Sequence, residues 1–154
     1  MNKFSPQALR ELSLTAVGTL LGIGTVTYLS VQQGMPLLIA SFGASAVLLY
    51  GVPDAAMARP RNVLGGHFLS ALIGVSCYQL LGDTWYAMTL AVTLAIVFML
   101  LTGTAHPPGG ATALVCVLEH ASYSFVFLPV LTGALILTIW ALLINRLRQP
   151  MAES

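Results

Sequence analysis

Apolar residues fall in long uncharged runs separated by short polar breaks, and the run lengths are unequal. Leu12 to Val31, Val63 to Leu81 and Phe125 to Asn145 each supply about 20 residues, enough to cross a hydrocarbon core of roughly 30 Å as helix. Met88 to Leu101 is a fourth span, introduced by the interfacial pair Trp85 and Tyr86. Two runs are shorter, Pro36 to Val52 and Ala111 to Leu118. The breaks carry turn chemistry: Gln32-Gln33-Gly34, Pro53-Asp54, Arg59-Pro60-Arg61-Asn62, Gly82-Asp83 and Glu119-His120. Ser5-Pro6 reads as a cap and first helical residue, starting a short surface helix before the first span.

The chain is organised around Thr104-Ala105-His106-Pro107-Pro108-Gly109-Gly110-Ala111-Thr112-Ala113-Leu114. The prolines lack donors and push the residue before each out of the α region, and the glycines loosen the backbone. From Ala111 the pattern resumes as a helix of roughly 12–18 Å at ~1.5 Å per residue, too short to span alone. Irregular backbone at membrane depth is tolerated only where protein buries it or where it lines a polar cavity. The stretch therefore predicts a pathway or binding site at a half-helix.

At 57% hydrophobic and 7% charged, the 154 residues predict a single all-α transmembrane domain over 1–154. The net charge of +1, without a basic run, gives nucleic acid nothing to bind. Cys77 and Cys116 lie in apolar runs and read as buried hydrophobes. The polar start, with Lys3 and Arg10, precedes too long an apolar run for a signal peptide, so the first helix is expected to be retained. No phosphate loop, nucleophile with its base, or metal cluster assembles from these residues; the expectation is no enzyme, cofactor or metal.

Hydropathy alone allows four spans or six. With six crossings and both termini cytoplasmic, all 6 Lys and Arg residues lie inside while Asp83 and Glu119 lie outside. Were the two short runs to dip in and return, Arg59 and Arg61 would be outside. An internal repeat agrees with six. An offset of 67 residues lays Gly43-Ala44-Ser45-Ala46 on Gly110-Ala111-Thr112-Ala113, and Val63-Leu64-Gly65-Gly66 on Val130-Leu131-Thr132-Gly133. The repeat divides the chain into two halves, about 12–81 and about 84–146, each long helix, short broken helix, long helix, inverted relative to one another.

Two half-helices entering from opposite faces would aim Gly43 and Gly110 at one central point, with free amides and a partial positive charge suited to an anion. Glycine at Gly43, Gly109 and Gly110 and small Ala111 would let a ligand reach the backbone, and Ser45 and Thr112 add hydroxyls. With no carboxylate nearby, and dehydration costly for a multiply charged ion, the site suits a small monoanion. The other reading of these small residues is close helix packing.

His106, at the start of the second half-helix, is either a gate or proton carrier, or a cap on a freed carbonyl. His67 could guard the inner mouth with Arg59, Arg61 and Asn62, or satisfy a neighbouring helix. His120 reads as a solvated loop residue. Arg59 and Arg61 are topology determinants or anion attractors.

The chain resembles the HPP family of bacterial, cyanobacterial and plastid membrane proteins from about Gly18 to Ile144. Its blocks Phe42-Gly43-Ala44-Ser45-Ala46, Arg59-Pro60-Arg61-Asn62-Val63-Leu64-Gly65-Gly66-His67 and His106-Pro107-Pro108-Gly109-Gly110-Ala111-Thr112-Ala113 occur in order. The resemblance implies an integral membrane protein and, for photosynthetic members, nitrite transport. That family is usually described with four transmembrane helices, which fits six crossings only if the short ones go uncounted. The expectation is a bacterial inner-membrane permease for small inorganic monoanions, nitrite first, in the lipid bilayer as a homo-oligomer. A formate or bicarbonate permease, or a structural subunit without flux, are the alternatives.

Overall fold

In the computed structural model, which describes residues 5–148, the described residues form helices and connecting turns without strands. Lys3, one of the basic residues that set the expected topology, lies outside this range. Four helices are long and apolar enough to cross a membrane: α1 (Pro6–Val31), α3 (Pro60–Leu81), α4 (Trp85–Thr102) and α6 (Val126–Arg148). Between them stand two short ones, α2 (Ser41–Gly51) and α5 (Pro108–Leu118).

The helix starts obey local chemistry. Ser5 accepts from the Ala8 amide at 3.1 Å and Pro6 is the first helical residue. Contrary to the expected separate surface helix, α1 runs unbroken from this cap through the first span. Thr84 caps α4 by accepting from Ala87. The proline pair does not hold off the last short helix until Ala111: Pro107 is itself α-conformed and Pro108 opens α5. Proline is tolerated in a first turn because the amide it lacks has no intrahelical partner there. In α6, Pro129 sits inside and Leu128 is non-helical, so the last span is kinked near its start.

Packing relies on small residues. Ala87, Ala91, Ala95 and Met99, one every fourth residue, form the buried stripe of α4. Residues spaced by four share one helix face, which α4 turns toward the protein while the rest of its surface is left for lipid. Gly18 and Gly22 of α1 make room for Tyr50, whose hydroxyl donates to the Leu137 carbonyl of α6 at 2.8 Å.

Two close approaches recur. A β-carbon at Gly66 would stand 3.0 Å from the Thr104 carbonyl oxygen; one at Gly133 would stand 3.3 Å from that of Leu37. Gly133 follows Gly66, and Thr104 follows Leu37, by the offset of the sequence repeat.

Each short helix is reached through a non-helical segment, residues 34–40 for α2 and 103–107 for α5. The 22 residues of α3, roughly 33 Å at ~1.5 Å each, separate the end bearing Arg59 and Arg61 from the end beside Asp83. Arg148 joins the first end: its guanidinium donates to the Tyr50 carbonyl and to Thr15, and reaches Glu11 at 3.7 Å. Asp83 and His120 meet at 3.1 Å beside the other.

Candidate functional site

Where α2 and α5 cross against α3, five polar side chains are buried together: Ser41, Ser45, His67, His106 and Thr112, all at most 2% exposed. Each arrives by helical spacing. Ser41 and Ser45, one turn apart, share the inward face of α2. Thr112 is one turn into α5, His67 two turns into α3, and His106 in the segment leading into α5.

They form one hydrogen-bonded chain. His106 Nδ1 donates to the Met57 carbonyl (2.8 Å), and its Nε2 faces Ser45 Oγ (3.0 Å). Ser45 Oγ also faces His67 Nε2 (2.9 Å), and His67 Nδ1 faces Thr112 Oγ1 (2.8 Å). Thr112 donates to Ser41 Oγ (2.8 Å). The imidazoles lie edge to face with centroids 4.9 Å apart, and Phe42 adds its ring at 5.5 Å from His67. Among the described residues, no carboxylate or guanidinium is hydrogen-bonded to either ring. Because Ser41 pairs with Thr112 and Ser45 with His106, α2 and α5 cross in opposite senses.

Of the expected site residues, the structure brings Ser45, His67, His106 and Thr112 into this chain. The expected backbone cradle is occupied by the protein itself. The amides of Gly109 and Gly110 donate to the His106 and Pro107 carbonyls (2.8 and 3.0 Å), and that of Gly43 to Ala40 (3.3 Å). Gly43 is exposed, with nothing within 4 Å of its missing β-carbon, so it does not point at the centre; Ala111 is exposed too. Gly43 stands two residues from the inward Ser41 and Ser45, and Ala111 one residue from the inward Thr112. Gly109 is packed, a β-carbon there meeting Ser70 Oγ at 2.6 Å. Gly110 borders a cavity of about 300 Å³ shared with Met57, Met99 and His106.

At the start of α3, Arg61 donates to the Thr102 carbonyl and Asn62 to that of Ala105, both at 2.9 Å. These bonds brace the segment that carries His106. Arg59 is the exposed residue before α3. A larger recess, about 1080 Å³ between Glu11, Asp54, Asn145 and Arg148, has neither imidazole in its wall. Ser41 and the Met57 carbonyl were missed in the sequence. Ser41 had a signal, its spacing of four from Ser45; Met57 belongs to a loop whose path no periodicity reveals.

The chain matches the family description "HPP, transmembrane region" over residues 5–152. Two Dictyostelium discoideum proteins, each named a transmembrane protein, are 40% and 38% identical to it. The alignments cover 89% of this chain and 52% and 48% of theirs. The chain thus spans about half the length of the curated relatives it matches. No solved structure matches it. Since the match takes in every helix described and both halves of the buried chain, this protein belongs to the HPP transmembrane family.

Proposed function

We propose that this chain is a permease for small inorganic monoanions, built of two inverted halves whose broken helices meet at the His67–His106 chain. The observation that carries the reading is that buried chain itself. Two imidazoles and three hydroxyls at membrane depth are costly, and such groups mark ion or proton pathways more often than packing. The rings' partners among the described residues are hydroxyls and a carbonyl, and an anion or its conjugate acid can pair with an imidazole that gains a proton. Nitrite is the substrate the family resemblance points to; formate and bicarbonate share its charge and size class.

Six crossings are supported by the opposed α2 and α5, by the paired close approaches at Gly66 and Gly133, and by the gathering of arginines at one end. By the positive-inside tendency that end faces the cytoplasm. The rings are fully buried, so permeation requires α2 and α5 to part on one side at a time. Purified protein in liposomes, offered nitrite, nitrate, formate, bicarbonate and chloride side by side, should pass a weak-acid anion faster than protein-free vesicles. Flux of none, with co-purification of a larger complex, would instead make the chain a structural subunit.

A further inference from the structure

With Thr112 donating to Ser41, the buried chain is one hydrogen short. His106 Nδ1 faces the Met57 carbonyl, which only accepts, so in neutral His106 the hydrogen is on Nδ1 and Nε2 is bare. Thr112 gives its hydrogen to Ser41, so it can only accept from His67 Nδ1, and Nε2 of neutral His67 is bare too. Between the bare nitrogens stands Ser45 Oγ, 2.9 Å from one and 3.0 Å from the other, with a single hydrogen. Whichever nitrogen it serves, the other faces an oxygen lone pair with no solvent to compensate. One added proton then gives each of the four ring nitrogens a matching donor or acceptor.

We propose that the His67–Ser45–His106 group is a proton-loading site, and that one proton travels with each monoanion. This rests on the permease reading and supplies its driving force. A lone imidazolium here would be disfavoured. Toward the two rings α2 presents Ser41, Ser45 and the Phe42 edge, α5 presents Thr112, and the α2–α3 loop presents the Met57 carbonyl. Each ring's titratable neighbour is the other ring, and Arg61 is turned to Thr102. The proton therefore stays only with a counter-charge, which the anion provides.

Unloading needs one hydroxyl to turn. If Ser41 donates to Thr112, Thr112 is released to donate to His67 Nδ1, His67 Nε2 to Ser45, and Ser45 to His106. The four ring nitrogens are then matched without the extra proton. Only N–H and O–H bonds form or break; a proton and an anion enter on one side and leave on the other, and no net charge moves.

The test uses the full chain in liposomes with the membrane potential clamped at zero, a pH dye inside, and protein-free vesicles as the blank for leak of undissociated acid. Expected is nitrite accumulation driven by an inside-alkaline gradient, with one proton entering per anion. In Ser45→Ala this component should fall by roughly a hundredfold, the scale of a lost proton-transfer group, while Ser45→Thr retains it. Nitrite flux indifferent to the gradient, or coupling intact in Ser45→Ala, overturns the proposal but spares the permease. No flux of any anion overturns both. Ring nitrogen NMR in bilayers gives a second readout: between about pH 5 and 8, His67 and His106 should take up a proton together when nitrite is added. Unchanged resonances at saturating nitrite also overturn proton loading.

Discussion

Ser45 and Thr112 hold the two nitrogens of one imidazole, at 2.9 and 2.8 Å from His67 Nε2 and Nδ1. Both hydroxyls sit one turn into a half-helix, and each maps onto the other under the offset that aligns the sequence halves. His67 thus bridges the two broken helices at the point where they cross. A side chain able to offer one donor and one acceptor at fixed separation suits that place, and neutral histidine is such a side chain.

Removing the bridge should be costly. His67→Ala leaves Ser45 and Thr112 short of a partner and opens a cavity where a fully buried ring stood. The expected loss is about 2–4 kcal/mol, from unsatisfied groups and the cavity together. Thermal unfolding in detergent reads this directly. His67→Gln can still reach part of the chain and should lose less; equal losses would mean the ring acts by bulk alone.

The recurrent glycine contacts make a second expectation. Gly66→Ala forces a β-carbon against the Thr104 carbonyl and within 2.6 Å of the His106 β-carbon, while Gly133→Ala drives one into the Phe42 ring. Overpacking of this kind costs about 1–3 kcal/mol. Gly24→Ala, in the same fold but with nothing within 4 Å, should be neutral or stabilising by up to about 1 kcal/mol. Thermal midpoints of the three variants check it. If Gly66→Ala tracked Gly24→Ala, the close approach beside His106 would not constrain the fold.

Much of this architecture was legible as run length. Three of the four long helices fall where apolar runs of spanning length stand, because a hydrocarbon core imposes a minimum that composition must meet, and α4 reaches that length by taking in Trp85 to Ala87 and Thr102. Their first turns were less legible: Pro60 and Pro108 open α3 and α5 although proline breaks helix interiors. The centre was half legible. Glycine and proline around His106 announced an interrupted helix, but the inference that interruption leaves amides free missed the tight turns that return Gly109 and Gly110 to His106 and Pro107. The amides satisfied themselves locally, and the side chains of Ser45, His106 and Thr112 took over the centre. Which face of an eleven-residue helix turns inward is fixed by tertiary contact, and α5 has apolar residues nearly all round.

His120 serves as the contrasting histidine. It ends α5 with φ +52, where Ala121 donates to the Cys116 carbonyl and His120 to that of Val117, a left-handed helix terminus that glycine prefers. It also stacks on Tyr78 and pairs with Asp83 in the open, where such a pair is worth little. His120→Gly should therefore change stability by no more than about 1 kcal/mol, backbone relief offsetting the lost contacts. Liposome flux should be unchanged. A flux loss as large as in His67→Ala would put the loop, and not the buried chain, on the permeation path.

The short helices decide the topology, and labelling with a membrane-impermeant thiol reagent decides between four crossings and six. Cys77 and Cys116 are buried, so the native background should be low. With six crossings, Asp54→Cys and Arg146→Cys share the cytoplasmic side, and Asp83→Cys and Glu119→Cys share the other. With four, α2 and α5 return to the side they entered, and the members of each pair are labelled from opposite sides. The recess shared by Asp54 and Arg148 favours the first outcome, since it places both residues at one end of the protein. Labelling of Asp54→Cys from the side opposite to Arg146→Cys would break the inverted halves apart. The crossing of α2 and α5 at the imidazoles would then be a packing contact rather than a shared path.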